Sequence, residues 1–277
     1  MHFFSWRKVH GTKYTHETGV RLSSGMYAAD VFDQHSVSWC GCCYIVAAVQ
    51  CVEDRGFILM RKRSARSSRY YIDMQRILDH FDDLTLGPGW NACHGGFPLH
   101  VLGCMKSGAC PLMTRTSKTW FGHPRNHSVS PIGDAPYRVS GGRRVDASQV
   151  RQHLLHDGPI VLEINGVTVK STDKHGVVQD MTHRTPNHAV SVIGWTMHKR
   201  VRCWIARNSW GQFRVPRAIP DDLTCVSRDK NTCRVDWEYW VGDPSKPGFF
   251  YIPEELTALH VTTPPPWIVP TVVLKDS

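Results

Sequence analysis

Cys43 ends a run in which three of four positions are cysteine, Cys40-Gly41-Cys42-Cys43, and the apolar stretch YIVAAV follows at once. His188 opens HAVSVIGW 145 positions later, and Asn208 stands in RNSWG 20 positions after that. A thiol becomes a useful nucleophile when a base takes its proton and a third group orients the base. A helix N-terminus helps, because its positive dipole end favours the thiolate, as does a nearby imidazolium. Cys43, His188 and Asn208 are the right types in a workable order. The cysteine cluster alone admits other readings: halves of disulfides, metal ligands, or one nucleophile with two bystanders. A C-x-C-C run lacks the second ligand pair of common zinc sites.

These residues need elements to hold them. Tyr44, Ile45, Val46, Ala47, Ala48, Val49 and Val52 are apolar nearly all round, which predicts a buried helix starting near Cys43. Gly56, in DRG, is a plausible C-terminal cap. The spacing in IDMQRILDHF predicts a short amphipathic helix over 72–81, and the Gly- and Pro-rich stretch 87–98 reads as loop. Beyond about residue 130, GPIVLEING, NHAVSVIGW, VRCWIARNSW and GFFYIP are short β-rich runs between turns. The expectation is an α+β chain with three parts. Residues 1–39 form a surface-laid arm, 40–135 a helical half with the nucleophile, and 136–277 a β-rich half with His188 and Asn208. The β-rich half includes an insertion at 212–247, and the Pro-rich tail 262–270 should be extended.

Composition narrows the classes. With 41% hydrophobic residues the chain is globular rather than disordered, and no apolar run approaches a membrane span. The net charge of +9 favours anionic surroundings such as nucleic acid or acidic partners, although a plain basic surface explains it equally. The run RKRSARSSRYY, from Arg61 to Tyr71, could touch RNA or phosphate or simply be a solvated loop. Ten cysteines are too few for a disulfide mini-scaffold. Cys225 and Cys233 could close a small loop in an oxidising compartment. The opening residues lack a secretory apolar core; Arg7, Lys8 and Lys13 before any acid are weakly compatible with a mitochondrial presequence, against which the stretch is poor in Ser and rich in aromatics.

The motifs together resemble the papain family of cysteine peptidases. CGCCY departs from that family's C-G-[SA]-C-[WY] signature only at Cys42, and the interval to His188 falls within its usual range of about 130–150 residues. NHAVSVIGW and RNSWG resemble its His and Asn segments, and CHGGF at 93–97 its groove-lining glycine pair. The resemblance implies a papain-like fold: a helical left half, a β-barrel-like right half, and the site in the cleft between. It further implies Cys43 as nucleophile, His188 as proton carrier and Asn208 as its orienting group. Gln34 and the Cys43 backbone N–H would face the oxyanion. Trp210 would shield the Asn–His bond, and Gly95 and Gly96 would pair with substrate backbone. Gln34 lies nine positions before Cys43 rather than six, and His35 follows it directly, an insertion similar to the cathepsin X branch. WRKVHGTKY at 6–14 is similar to that branch too. By that resemblance His35 holds a substrate's C-terminal carboxylate. The implied activity is a carboxypeptidase acting on peptide or protein C-termini, with no metal or organic cofactor and under reducing conditions.

Four departures complicate the resemblance. His80 in MQRILDH stands where the family usually has a cysteine, which implies that Cys40 is an orphaned half-bridge. Cys42 replaces a small residue beside the nucleophile. A long insertion follows NSWG, and the sequence opens on a mature-like segment without a leader or pro-segment. The family is lysosomal or secretory, whereas the missing leader points to an intracellular, even mitochondrial, setting. A second reading follows: a papain-like domain reused as a structural subunit of a larger assembly, mitochondrial or RNA-rich, docking through 212–247 and the tail.

Overall fold

The computed structural model describes residues 3–34, 40–83, 91–110, 113–115, 133–173, 175–183, 185–211, 214–216, 237–239, 248–259 and 265–275. His35, Cys225, Cys233 and most of the 212–247 insertion lie outside them.

The first half runs β1 (Phe4–Ser5), α1 (Gly11–Thr18), α2 (Cys43–Arg63), β2 (Tyr71–Ile72), α3 (Met74–Asp83), a 3-10 turn (Ala92–His94), α4 (Pro98–Ser107) and β3 (Met113–Arg115). The second half runs β4 (Gly133–Asp134), β5 (Tyr137–Val145), α5 (Ala147–Asp157), β6 (Ile160–Ile164), α6 (Gly166–Lys170), β7 (His188–His198) and β8 (Val201–Arg207). It ends with β9 (Arg214–Pro216), β10 (Trp237–Tyr239), β11 (Phe249–Pro253), α7 (Glu254–Leu259) and β12 (Trp267–Leu274). The main sheet is ordered β11-β8-β7-β6-β12-β5, with β1 added beside the far end of β7. Its pairings are antiparallel. The outcome is the expected α+β arrangement, helical first and β-rich second.

α2 is longer than its apolar run suggests. It continues through Gly56 to Arg63, and Ser64 is the C-cap. Gly56 is therefore a packing residue rather than a cap: a Cβ there would meet the Tyr137 ring at 2.4 Å. The absent side chain lets β5 lie against the helix.

Residues 3–34 do not lie on the surface as a loose arm. Trp6, Tyr14 and Tyr27 are almost fully buried in the core formed with the main sheet. Trp6 Nε1 donates to the Leu154 carbonyl at 2.7 Å, and the Tyr14 hydroxyl to the Leu155 carbonyl at 2.9 Å. Aromatics without periodicity can anchor a segment through such long-range contacts, which local pattern does not reveal. A second core lies between α2, α3 and α4 and the other face of β5 and β12.

The tail is extended, but it is no projecting arm. From Trp267 it is β12, an interior strand between β6 and β5. Pro270 is tolerated there beside a register shift at Thr271/Val272, and its carbonyl accepts from Arg55 Nη1 at 2.6 Å. Residues 267–274 are thus committed to the fold and are not a free docking element. The basic run is also partly used internally. Arg61 donates to Ser23 Oγ, Lys62 to the His156 carbonyl, and Arg69 pairs with Asp54 at 2.6 Å. No helix among the described residues is long and apolar enough to cross a membrane.

Candidate active site

Cys43 is the first residue of α2, where unsatisfied N–H groups gather. The next turn of that helix rests on β7: Ser191 Oγ donates to the Ala47 carbonyl at 3.4 Å. This contact brings the start of the strand, and with it His188, up to the start of the helix. The Cys43 sulfur lies within hydrogen-bonding reach of the backbone N–H of Ala189, the residue after His188. Two residues 145 positions apart in the chain are therefore placed together at a helix–strand contact.

Asn208 follows β8, and its backbone N–H donates to the Gly248 carbonyl at 2.9 Å. Its Oδ1 lies 2.9 Å from His188 Nε2 and also accepts from the Ser209 N–H at 2.9 Å. An oxygen held by one donor must accept from the other, so the imidazole carries its proton on Nε2. Nδ1 is left as the lone pair that can take a thiol proton. Trp210 is buried and lies over the His188 ring, with centroids 4.4 Å apart and planes tilted by 30°. The indole is thus a lid on the His–Asn pair.

Gln34 is buried and held from three sides. Its Oε1 accepts from Ser209 Oγ at 2.5 Å, its Nε2 donates to the Cys40 carbonyl at 2.7 Å, and its backbone N–H donates to the Ser209 carbonyl at 2.8 Å. Asn208 and Gln34 are therefore both fixed by Ser209, a residue that sequence reasoning passed over inside RNSWG. Its neighbours on both sides were the signal that could have found it.

Cys40 is not orphaned. It forms a disulfide with Cys93, which pins the segment before the nucleophile to CHGGF. This overturns the half-bridge expected from the resemblance, and it removes Cys40 from any metal set with Cys42 and Cys43. Cys42 is a free, fully buried thiol whose carbonyl starts the helix ladder, accepting from Val46 N–H at 3.0 Å. Beside the bridge, Gly95 has φ of 110° and open space where a Cβ would be. Gly96 is exposed, but a Cβ on it would meet the Tyr44 ring at 2.6 Å, so packing alone already requires glycine there.

Burial dominates the electrostatics. It pushes the Cys43 thiol up to about 11, opposed by the N–H groups of Ala189, Tyr44 and Cys43 itself. It pushes the His188 imidazole down to about 4, with the Asn208 hydrogen bond opposing. In the closed site both groups favour their neutral forms.

The family model for the papain family of cysteine proteases matches residues 17–235. The chain belongs to this family. Cathepsin Z of Onchocerca volvulus is 23% identical over 75% of this chain and 65% of its own length. A viral cathepsin of Lymantria dispar multicapsid nuclear polyhedrosis virus is 24% identical over 62% of this chain and 45% of its own. The chain thus spans about half to two thirds of these curated relatives. Among solved structures, digestive procathepsin L2 proteinase from Tenebrio molitor larval midgut aligns with a TM-score of 0.64 at 17% identity, covering 98% of this chain and 68% of that one. Bromelain protease from Ananas comosus, solved with the E64 inhibitor, aligns with a TM-score of 0.55 at 17% identity, covering 98% of this chain and 99% of its own.

Proposed function

We propose that this papain-family chain hydrolyses peptide bonds through Cys43, and that it removes residues from peptide C-termini. The observation that carries the reading is the His188–Asn208 hydrogen bond under Trp210, with the Cys43 sulfur at the neighbouring Ala189 N–H. His188 Nδ1 takes the thiol proton as Sγ attacks the scissile carbonyl carbon. The C–N bond then breaks, the same proton passes to the leaving amine, and a thioester remains on Cys43. Water, deprotonated by His188, attacks the thioester carbonyl. The acid leaves and the thiol regains its proton. Asn208 holds the imidazole in the Nε2–H tautomer throughout, the part an Asp plays in serine triads. The α2 N-terminus and the Gln34 amide supply donors for the oxyanion, each worth about 3 kcal/mol in comparable sites. The reacting species is the thiolate–imidazolium pair that this proton transfer creates.

The carboxypeptidase reading rests on the position of His35 after Gln34 and on the similarity to cathepsin Z. Its test is the reduced protein with two peptides that differ only in a free or an amidated C-terminus. Preference for the free acid, lost in His35→Ala, is the expected result. Equal cleavage of both would leave a peptidase without that specificity.

The depressed His188 and raised Cys43 favour one second reading, a papain-like domain with a silenced site serving as a subunit. Labelling of the reduced protein with an epoxide thiol-peptidase inhibitor separates the two. A single adduct on Cys43, absent in Cys43→Ala and His188→Ala, supports the enzyme. Absence of any adduct supports the subunit.

A further inference from the structure

His80, Cys104 and Cys110 meet in the helical half with their ligand atoms all within 4.8 Å of one another. His80 comes from the last turn of α3, Cys104 from α4, and Cys110 from just beyond the end of α4. The turn that brings Cys110 back is built for it. Gly108 closes the helix at φ of 80°, a backbone shape that glycine adopts freely. The Cys110 N–H then donates to the Cys104 carbonyl at 3.2 Å, and Ser107 Oγ donates to the same carbonyl at 2.9 Å. The two cysteines are not joined to each other. Cys110 is buried, while Cys104 and His80 keep partial access to water. Among the described residues the buried His80 Nε2 has no hydrogen-bond partner, an uncommon state for a ring nitrogen and one that a ligand at the cluster would relieve.

We propose that His80, Cys104 and Cys110 bind a thiophilic divalent cation, zinc in the first instance, as a clip between α3 and α4. Two thiols and one imidazole are the donor set that zinc takes at tetrahedral sites. Three protein ligands leave one position, which the water-accessible side of the cluster can fill with solvent. Binding displaces the thiol protons, so affinity rises with pH, and it requires the reduced cysteines. The clip is separate from catalysis: the peptidase reading stands or falls without it.

The test uses the full-length Cys43→Ala protein, reduced and freed of metal, so that the catalytic thiol contributes nothing. Titration with cobalt(II) should give one equivalent bound, with a thiolate-to-cobalt charge-transfer absorption that zinc abolishes by displacement. Cys104→Ser or Cys110→Ser should remove that absorption. His80→Gln should weaken zinc binding by on the order of 10- to 100-fold. Zinc at 100 times its Kd should raise Tm by about 5 °C or more, and the serine variants should lose that rise. Should the serine variants fail to fold, alkylation mapping of the parent decides. Zinc must then protect Cys104 and Cys110 while leaving the labelling of the other cysteines unchanged. A reduced protein that binds neither cobalt nor zinc overturns the proposal. So does binding that survives both serine variants, or a Cys104–Cys110 disulfide protein that still takes up no metal once reduced.

Discussion

α2 buries ionisable groups at both its start and its middle, and the two places treat charge in opposite ways. At the start, Cys43 meets the His188 end of β7, and burial drives both groups toward their neutral forms. In the middle, Asp54 is fully buried and stays within an ionic cluster. Its Oδ2 lies 2.9 Å from Arg207 Nη2, in charge contact without hydrogen-bond alignment, while Oδ1 pairs with Arg69 at 2.6 Å and accepts from the Ala29 N–H at 2.9 Å. Arg55 beside it donates to the carbonyls of Pro159, Gly158 and Pro270. The lesson is that burial alone does not decide charge state; the number of partners does. The middle of α2 fastens the N-terminal segment, the main sheet and the helix to one another. At the start of α2 the His188 ring has one side-chain hydrogen bond, to Asn208, and no counter-ion.

Removing a partner from the ionic middle should have the largest effect. Asp54→Ala leaves Arg207 and Arg69 without their counter-charge in the interior, at a cost of about 3–5 kcal/mol in urea unfolding. Cys43→Ala, at a position that is also buried, should cost about 1 kcal/mol. Comparable costs for the two variants would break the contrast.

Glu53 sharpens it, because it sits in the ionic middle yet behaves like the Cys43 end. Burial pushes its carboxyl up to about 7, opposed by the hydrogen bond from Ile72 N–H at 2.6 Å. A raised acid favours the folded state when protonated. Its penalty is absent below the unfolded pKa of 4.5 and complete above about 7, where it amounts to about 3 kcal/mol. His188 has the opposite slope. Its depressed pKa contributes stability that is complete above 6.5 and lost as pH falls toward about 4. Between pH 7 and 4.5 the two contributions nearly cancel. Glu53→Gln should therefore stabilise the protein by up to about 3 kcal/mol at pH 8 and uncover the acid loss due to His188. Urea unfolding at pH 5 and pH 8 reads both effects, and a variant weaker than its parent at pH 8 would contradict this account.

At the Cys43 end, Asn208→Ala removes the acceptor that fixes the His188 tautomer. Epoxide labelling of Cys43 should slow by roughly 10- to 100-fold, or about 1.4–2.7 kcal/mol in activation free energy. Global stability should change less than in Asp54→Ala. An unchanged labelling rate would show that the imidazole needs no orienting group.

The residues that act locally were legible in the sequence, and those that act at a distance were not. The start of α2, the helix at 74–83 and the β-rich second half follow from periodicity, which reports which face of an element is buried. Cys43, His188 and Asn208 were readable because each lies inside a short motif of definite spacing. The Cys40–Cys93 bridge was not, since nothing local in the sequence says which of ten thiols come together. The same holds for Trp6 and Tyr14, whose hydrogen-bond partners lie 148 and 141 positions away. Ser209 was overlooked because its task, holding both Gln34 and Asn208, exists only in the folded chain.

Gly56 is the smallest test and bears on why the two ends of α2 stay coupled. Alanine there gains up to about 1 kcal/mol in helix propensity. Against this, a Cβ would stand 2.4 Å from the Tyr137 ring, and such overpacking costs about 1–3 kcal/mol. The ring belongs to β5, so it cannot move away without disturbing the β5–β12 pairing in which Leu274 faces Tyr137. The net expectation for Gly56→Ala is a loss of about 1 kcal/mol in urea unfolding, with the Cys43 labelling rate unchanged. Propensity and packing pull in opposite directions at this position, so the sign of the effect is decided by the ring. A gain on alanine substitution would mean that β5 does not press on α2 at Tyr137, and a loss of about 1 kcal/mol means that the contact is kept.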